Sequence, residues 1–182
     1  MNGGSSLGMT YGSIMRVMEL LLENIPPIFS SITLGMGDGV IPAMFVAKGA
    51  YHVAGLELDG FAGHRTGQLH ASRMIEATGR GDMISSDLRW GVDVLDITKI
   101  SSMIPHGGPI LAYGFDDSIP EIARRHWYKL LHECPQVHRI ATCYNSHIDL
   151  DQELPEFREI ARTRVTLEGG RCSRLMIILE RH

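Results

Sequence analysis

The stretch Ser30–Asp59, SSITLGMGDGVIPAMFVAKGAYHVAGLELD, reads as strand, glycine turn, helix, strand and acid. Ile32, Thr33 and Leu34 form a short apolar strand core. Gly35-Met36-Gly37-Asp38-Gly39 removes side chains where the backbone must bend sharply. Val40 to Ala50 supplies helix formers, with Ile41, Met44, Phe45 and Ala47 on an apolar face. Tyr51 to Leu58 is a second strand, ending in Glu57-Leu58-Asp59. A turn of this kind lets a ligand lie against bare backbone at a helix N-terminus. An acid at the tip of the next strand can accept both hydroxyls of a ribose. The stretch therefore points to a nucleoside-containing ligand at the carboxyl end of a parallel sheet.

Glycine spacing narrows the nucleoside. The loop is G-x-G-x-G. A dinucleotide site calls for G-x-G-x-x-G, and Val40 fills the last place; the Lys and Ser/Thr of a P-loop are also absent. On Gly35, Gly37, Gly39 and Glu57 the sequence resembles the class I S-adenosylmethionine-dependent methyltransferases, whose first motif is acid-x-G-x-G-x-G. It departs from them at Thr33, where the family usually carries Asp or Glu. The resemblance covers about residues 10–182. It implies an α/β fold, a Rossmann-like sandwich with a mostly parallel seven-stranded sheet and a C-terminal antiparallel hairpin. It also implies S-adenosyl-L-methionine as cofactor, held by Gly35, Gly37, Asp38, Gly39, Glu57 and Asp93.

Composition sets bounds around this. The chain has 182 residues, enough for one domain with a proper core, expected over residues 10–182 behind a flexible start at 1–9. Net charge is −4, so there is no global electrostatic case for nucleic acid, though a local patch is expected around Arg124, Arg125, His126 and Lys129. Cys134, Cys143 and Cys172 are odd in number and widely spaced, which fits neither a disulfide framework nor a metal motif and points to a reducing, intracellular compartment. His64 and His70, six apart, do not share a helix face as a metal pair would. No apolar run approaches the roughly 20 residues that cross a bilayer. The N-terminus lacks a basic start followed by an apolar core, so no secretory signal is expected.

The remaining elements follow in order. Ile14, Val17, Met18, Leu21 and Leu22 recur at helical spacing over Tyr11 to Asn24, and Pro26-Pro27 ends that helix. Thr10-Tyr11-Gly12 before it resembles the cofactor-covering loop of the non-SET (disruptor-of-telomeric-silencing-like) protein lysine methyltransferases, with Ser13 where that family has Glu; the resemblance implies that Tyr11 touches the cofactor and that the substrate is a protein lysine. Residues 61–78, with Leu69, Met74, Ile75 and Ala77, are an amphipathic helix closed by Gly79 and Gly81. Leu88 to Val92 is a third strand. The methyltransferase pattern places an acid after it for the adenine amino group, here Asp93, with Asp96 as competitor or helix cap. Pro109 to Phe115 is the fourth strand. The helix after it starts at Pro120 and runs to about His132, with Ile122, Trp127, Leu130 and Leu131 inward. Val137 to Tyr144 is a fifth strand, Glu156 to Ala161 a short helix, and residues 164–168 and 173–180 a hairpin turned on Gly169-Gly170.

The resemblance puts the methyl acceptor just past the fourth strand, at Tyr113-Gly114-Phe115-Asp116-Asp117. Tyr113 and Phe115 would face the methyl group, where an aromatic favours the cationic sulfonium. Asp116 would orient or deprotonate the acceptor; the bland alternative is that Asp116 and Asp117 cap the next helix. The lysine family's Asn-Asn-Phe is not kept. Three functions follow: a methyltransferase acting on a protein lysine, a catalytically inactive scaffold of the same fold, or an RNA or small-molecule methyltransferase.

Overall fold

Strand β4, Ile110–Gly114, shows the logic of the centre of the sheet: Ile110 and Ala112 belong to one apolar cluster, Leu111 and Tyr113 to the other. A strand covered on both faces has no polar side, so it reads as an apolar run rather than an alternation. The structure, a computed structural model, describes residues 9–57, 63–92, 95–96, 102–104, 108–114, 119–144, 146–169 and 172–182. Its seven strands are ordered β3-β2-β1-β4-β5-β7-β6. The strands are β1 (Ser30–Leu34), β2 (His52–Glu57), β3 (Ser85–Trp90), β4, β5 (Val137–Cys143), β6 (Phe157–Thr166) and β7 (Ser173–Arg181). The first five pair in parallel, and β7 runs antiparallel between β5 and β6. This is the expected mostly parallel sheet with its C-terminal hairpin. Strand order reverses between β1 and β4, which opens a crevice at their carboxyl ends.

Helices α1 (Tyr11–Leu22), α2 (Val40–Lys48) and α3 (Gly63–Ala77) cover one face, contributing Val17, Met18, Phe45 and Ile75 to its core. Helix α4 (Glu121–Glu133) covers the other, inserting Trp127, Tyr128 and Leu131 against β4 and β5. The short α5 (Leu150–Glu153) follows β5, and Asp149 Oδ1 accepts the Asp151 N–H at its start.

Several expectations need correction. Glu156 to Ala161 is not a helix: β6 begins at Phe157, because β7 offers it a paired ladder from Arg181 to Ser173, and the short helix lies earlier, on α5. The third strand runs Ser85–Trp90 rather than 88–92, and Gly91, at φ 71°, breaks it. Ile122 is 70 % exposed; the inward positions of α4 are Ala123, Trp127, Leu130 and Leu131. Leu69 and Ala47 face solvent, and α3 packs through Ala71 and Ile75. The expected cationic patch is largely paired. Arg124 is buried with Nη2 donating to the Ile119 carbonyl, Arg125 meets Glu121 and Glu153, and Lys129 lies near Glu133.

One buried ion pair ties α1 to the sheet. Arg139 donates to Glu180 Oε1 through Nε and Nη2, at 2.9 and 2.6 Å, and through Nη1 to the carbonyls of Leu21 and Glu23 at the end of α1. The Arg139 hydrogen bond holds the Glu180 carboxyl below the usual carboxylate range. A depressed folded pKa gives stability that is complete above the unfolded value, about 4.3, and lost as pH falls through the lower folded value. Glu180→Gln should therefore cost about 1–3 kcal/mol at neutral pH, and urea unfolding across a pH series should show wild type and variant converging under acid. A difference that stays constant with pH would contradict this.

Candidate functional site

The glycine loop between β1 and α2 is built by hydrogen bonds from two neighbouring strands. The Gly35 and Met36 N–H groups both donate to the Leu56 carbonyl, at 2.9 and 3.2 Å, which folds the loop over the end of β2. Gly35, Gly37 and Gly39 all have positive φ, 69°, 55° and 87°. Only glycine adopts these angles without strain. Gly39 has a second reason: a Cβ there would lie 2.3 Å from Ala71 Cβ, so α3 packs directly on the start of α2.

Gly37 is the centre of the site. Its N–H donates to Glu57 Oε2 at 2.7 Å, and its carbonyl accepts from the Trp90 indole Nε1 at 2.9 Å. Glu57 and Trp90 are the last residues of β2 and β3 and stand opposite each other in the ladder. The backbone at Glu57 is fixed as well, its carbonyl accepting the Gly91 N–H at 2.7 Å. A Cβ at Gly67 would come within 2.9 Å of Trp90 Nε1, so the indole is wedged between α3 and the loop. On its outer side Gly37 is open: a Cβ there would meet nothing within 4 Å among the described residues. The result is an exposed loop peptide beside a carboxylate at the carboxyl end of β2, a place where an acceptor of hydroxyl protons and a backbone free of side chains meet.

Gly35, Gly37, Gly39 and Glu57 are thus brought together as the sequence suggests. Asp38 is at the loop, but its carboxylate is directed within the protein: Oδ2 lies 3.2 Å from His70 Nδ1 on α3 and Oδ1 is 3.4 Å from the Val40 amide. Asp93, Phe115 and Asp116 lie outside the described residues. Tyr113 departs from its expected place. Its ring is fully buried, on the face that packs against α1 and α2, and its hydroxyl lies 3.7 Å from Met9 Sδ. A ring held there cannot face a methyl group in the crevice. The reason is strand alternation: Gly114 and Tyr113 fall on opposite faces, and Tyr113 takes the one beneath α1 and α2. That contact places the N-terminal segment at the end of β4, and Tyr11, two residues on, is 69 % exposed there. Thr33, where the resembled family has an acid, is fully buried and its hydroxyl has no partner among the described residues. A charged side chain at this depth would need one.

Trp90 and Gly67 were not singled out from sequence. Trp90 carried one usable signal: it ends a strand just before a glycine.

No family model matches the chain, and no curated protein matches it. Solved structures do. The 23S rRNA methyltransferase ErmE superposes with a TM-score of 0.60 at 15% identity, over 96% of this chain and 70% of that one. M. capricolum TrmK, solved with S-adenosyl-homocysteine, gives 0.59 at 13% identity, over 96% and 70%. An rRNA methylase from Streptococcus thermophilus gives 0.58 at 15% identity, over 92% and 94%. At these identities the likeness establishes the class I methyltransferase fold. The narrower resemblance to protein lysine methyltransferases finds no support here, since these neighbours are named for RNA.

Trp90→Phe keeps an aromatic ring but removes the pyrrole half of the indole with its N–H, leaving the Gly37 carbonyl without that donor. It should cost about 0.5–1.5 kcal/mol in urea unfolding; an unchanged midpoint would show that the hydrogen bond does not hold the loop.

Proposed function

We propose that this chain is an S-adenosyl-L-methionine-dependent methyltransferase whose acceptor is RNA. The observation that carries the proposal is the 2.7 Å contact between the Gly37 amide and the Glu57 carboxylate, set at the strand-order reversal of this sheet. The neighbours support it from outside: TrmK was solved with the spent cofactor, and the named relatives in fold are rRNA methyltransferases or TrmK.

The residues fit the cofactor. Glu57 can accept the ribose hydroxyls, since it is a carboxylate with about four acceptor positions at the tip of β2, beside the exposed loop. The loop leaves open space outside Gly37 for a ligand against bare backbone. Asp93 follows β3 in sequence and is the candidate for the adenine amino group; Phe115 and Asp116 follow β4 and are the candidates to face the acceptor. Bound S-adenosyl-L-methionine supplies a methyl group already activated by the sulfonium. The protein's task is then positioning, which can be worth roughly 7–11 kcal/mol. In this chain that falls to the rigid ends of β1, β2 and β4, whose backbones are fixed by ladder hydrogen bonds.

Glu57→Ala should weaken S-adenosyl-L-methionine binding by about 1–3 kcal/mol in isothermal titration, because the ribose hydroxyls lose a charged acceptor. An unchanged dissociation constant would remove Glu57 from the site. Absence of any binding by the wild-type chain would leave the fold as a scaffold. Methyl transfer from labelled cofactor into protein but not RNA would overturn the choice of acceptor.

A further inference from the structure

We infer that the α4-side face of the β5-β7-β6 edge is an RNA-binding platform, on which Tyr144 stacks a base and Arg162 and Arg164 hold the phosphate backbone of a single-stranded segment. The inference rests on the methyltransferase proposal for its purpose, but its geometry is independent of it.

Charge is the first observation. Residues 157–182 contain six arginines and three glutamates, a formal +3, in a chain whose net charge is −4. The remaining 156 residues therefore carry −7. All six cations of the hairpin are arginine, the residue suited to forked contact with phosphate and to stacking on bases.

Register is the second. Arg164 pairs with Leu175 and Arg162 with Ile177 across β6 and β7. Thr142 pairs with Ile177 across β5 and β7, and the Tyr144 amide donates to the Leu175 carbonyl at 2.8 Å. Side chains directly opposite in a sheet share a face. Tyr144, Leu175 and Arg164 thus form one row, and Thr142, Ile177 and Arg162 the row behind it. The opposite face at this level is buried, with Cys143 Sγ against Met176 Sδ at 3.3 Å. Tyr144 is 51 % exposed and Arg164 faces solvent. Arg162 is exposed too, on the row next to that of Tyr144. Glu159 takes two of the five Arg162 N–H groups, at 2.6 and 2.7 Å, which fixes the direction of the fork. The Arg164 guanidinium donates to Ser173 Oγ at 3.3 Å.

Position is the third. These rows sit at the carboxyl end of β5, and β5 neighbours β4. Thr142 and Ile177 of the rear row are buried under α4, so the exposed surface is Tyr144, Arg164 and Arg162 around the half-buried Leu175. A strand of RNA over that surface lies beside the crevice in which the acceptor would be presented. Exposed arginines beside an exposed aromatic are what single-stranded nucleic acid needs: cations for phosphate and a flat ring for a base. An acidic peptide would use the arginines but leave Tyr144 without a role.

The test is fluorescence anisotropy of labelled oligouridine with the full chain at several salt concentrations. Arg162→Gln with Arg164→Gln should weaken binding and reduce the slope of log affinity against log salt by about 1.4, two phosphate contacts on a single strand. Tyr144→Ala should weaken binding about tenfold while Tyr144→Phe binds as wild type. Arg125→Gln on α4 should bind as wild type. Thermal melting shows that each surface variant is folded. Wild-type protein that does not bind oligouridine, hairpin variants that bind as wild type, or displacement by polyglutamate as effective as by unlabelled oligouridine would each overturn the inference. Titration of S-adenosyl-L-methionine into the same proteins separates the two proposals. Cofactor binding with RNA affinity untouched by the variants sinks the platform alone. RNA binding lost in the variants, with no cofactor bound by wild type, sinks the enzyme alone.

Discussion

One residue, Gly37, is held on both of its flanking peptide groups by the ends of two different strands. Its N–H is taken by Glu57 on β2 and its carbonyl by Trp90 on β3. The start of a helix leaves backbone donors without intrahelical partners, and α2 has no side-chain cap at its N-cap residue, Gly39. The loop before it is therefore stabilised by its neighbours. This explains the packing around it: Gly39 lets α3 approach α2, and Gly67 lets the indole approach the loop. A side chain at either glycine would push α3 outward and separate Trp90 from Gly37.

The second constraint is that both faces of the central strands are covered. Every residue of β1 is buried, including Ser30, Ser31 and Thr33. A strand in that position tolerates hydroxyls better than charge, and Thr33 is the neutral solution in this chain. The same constraint decides Tyr113. It is packed beneath α1 and α2 and gives its hydroxyl to Met9, so it fastens the N-terminal segment instead of lining the crevice.

The hairpin at the far edge follows a different rule. Its inner positions, such as Val165 and Met176, complete the core, while β6 presents arginines to solvent. Exposed edge strands risk pairing with other chains, and charged residues there discourage it. Edge protection and a cationic track are served by the same side chains, and the exposed aromatic at the end of β5 is what distinguishes the two uses.

Most of the fold was legible in the sequence. Apolar runs bounded by glycine and proline marked four of the five parallel strands, while the mostly polar β3 was read three residues late; helical periodicity marked α1, α3 and α4, and glycine spacing with Glu57 marked the loop and its acid. These are local signals, carried by neighbours along the chain. What the sequence could not decide were the matters settled by distant partners. Phe157 to Ala161 became strand because β7 lay alongside to accept its hydrogen bonds. Ile122 faces solvent because Trp127 and Leu131 fix the rotation of α4. Tyr113 points into the core because one face of β4 meets α1 and α2. Trp90 joined the site only because the register of β2 and β3 set it beside Glu57, and no spacing along the chain records a register between strands.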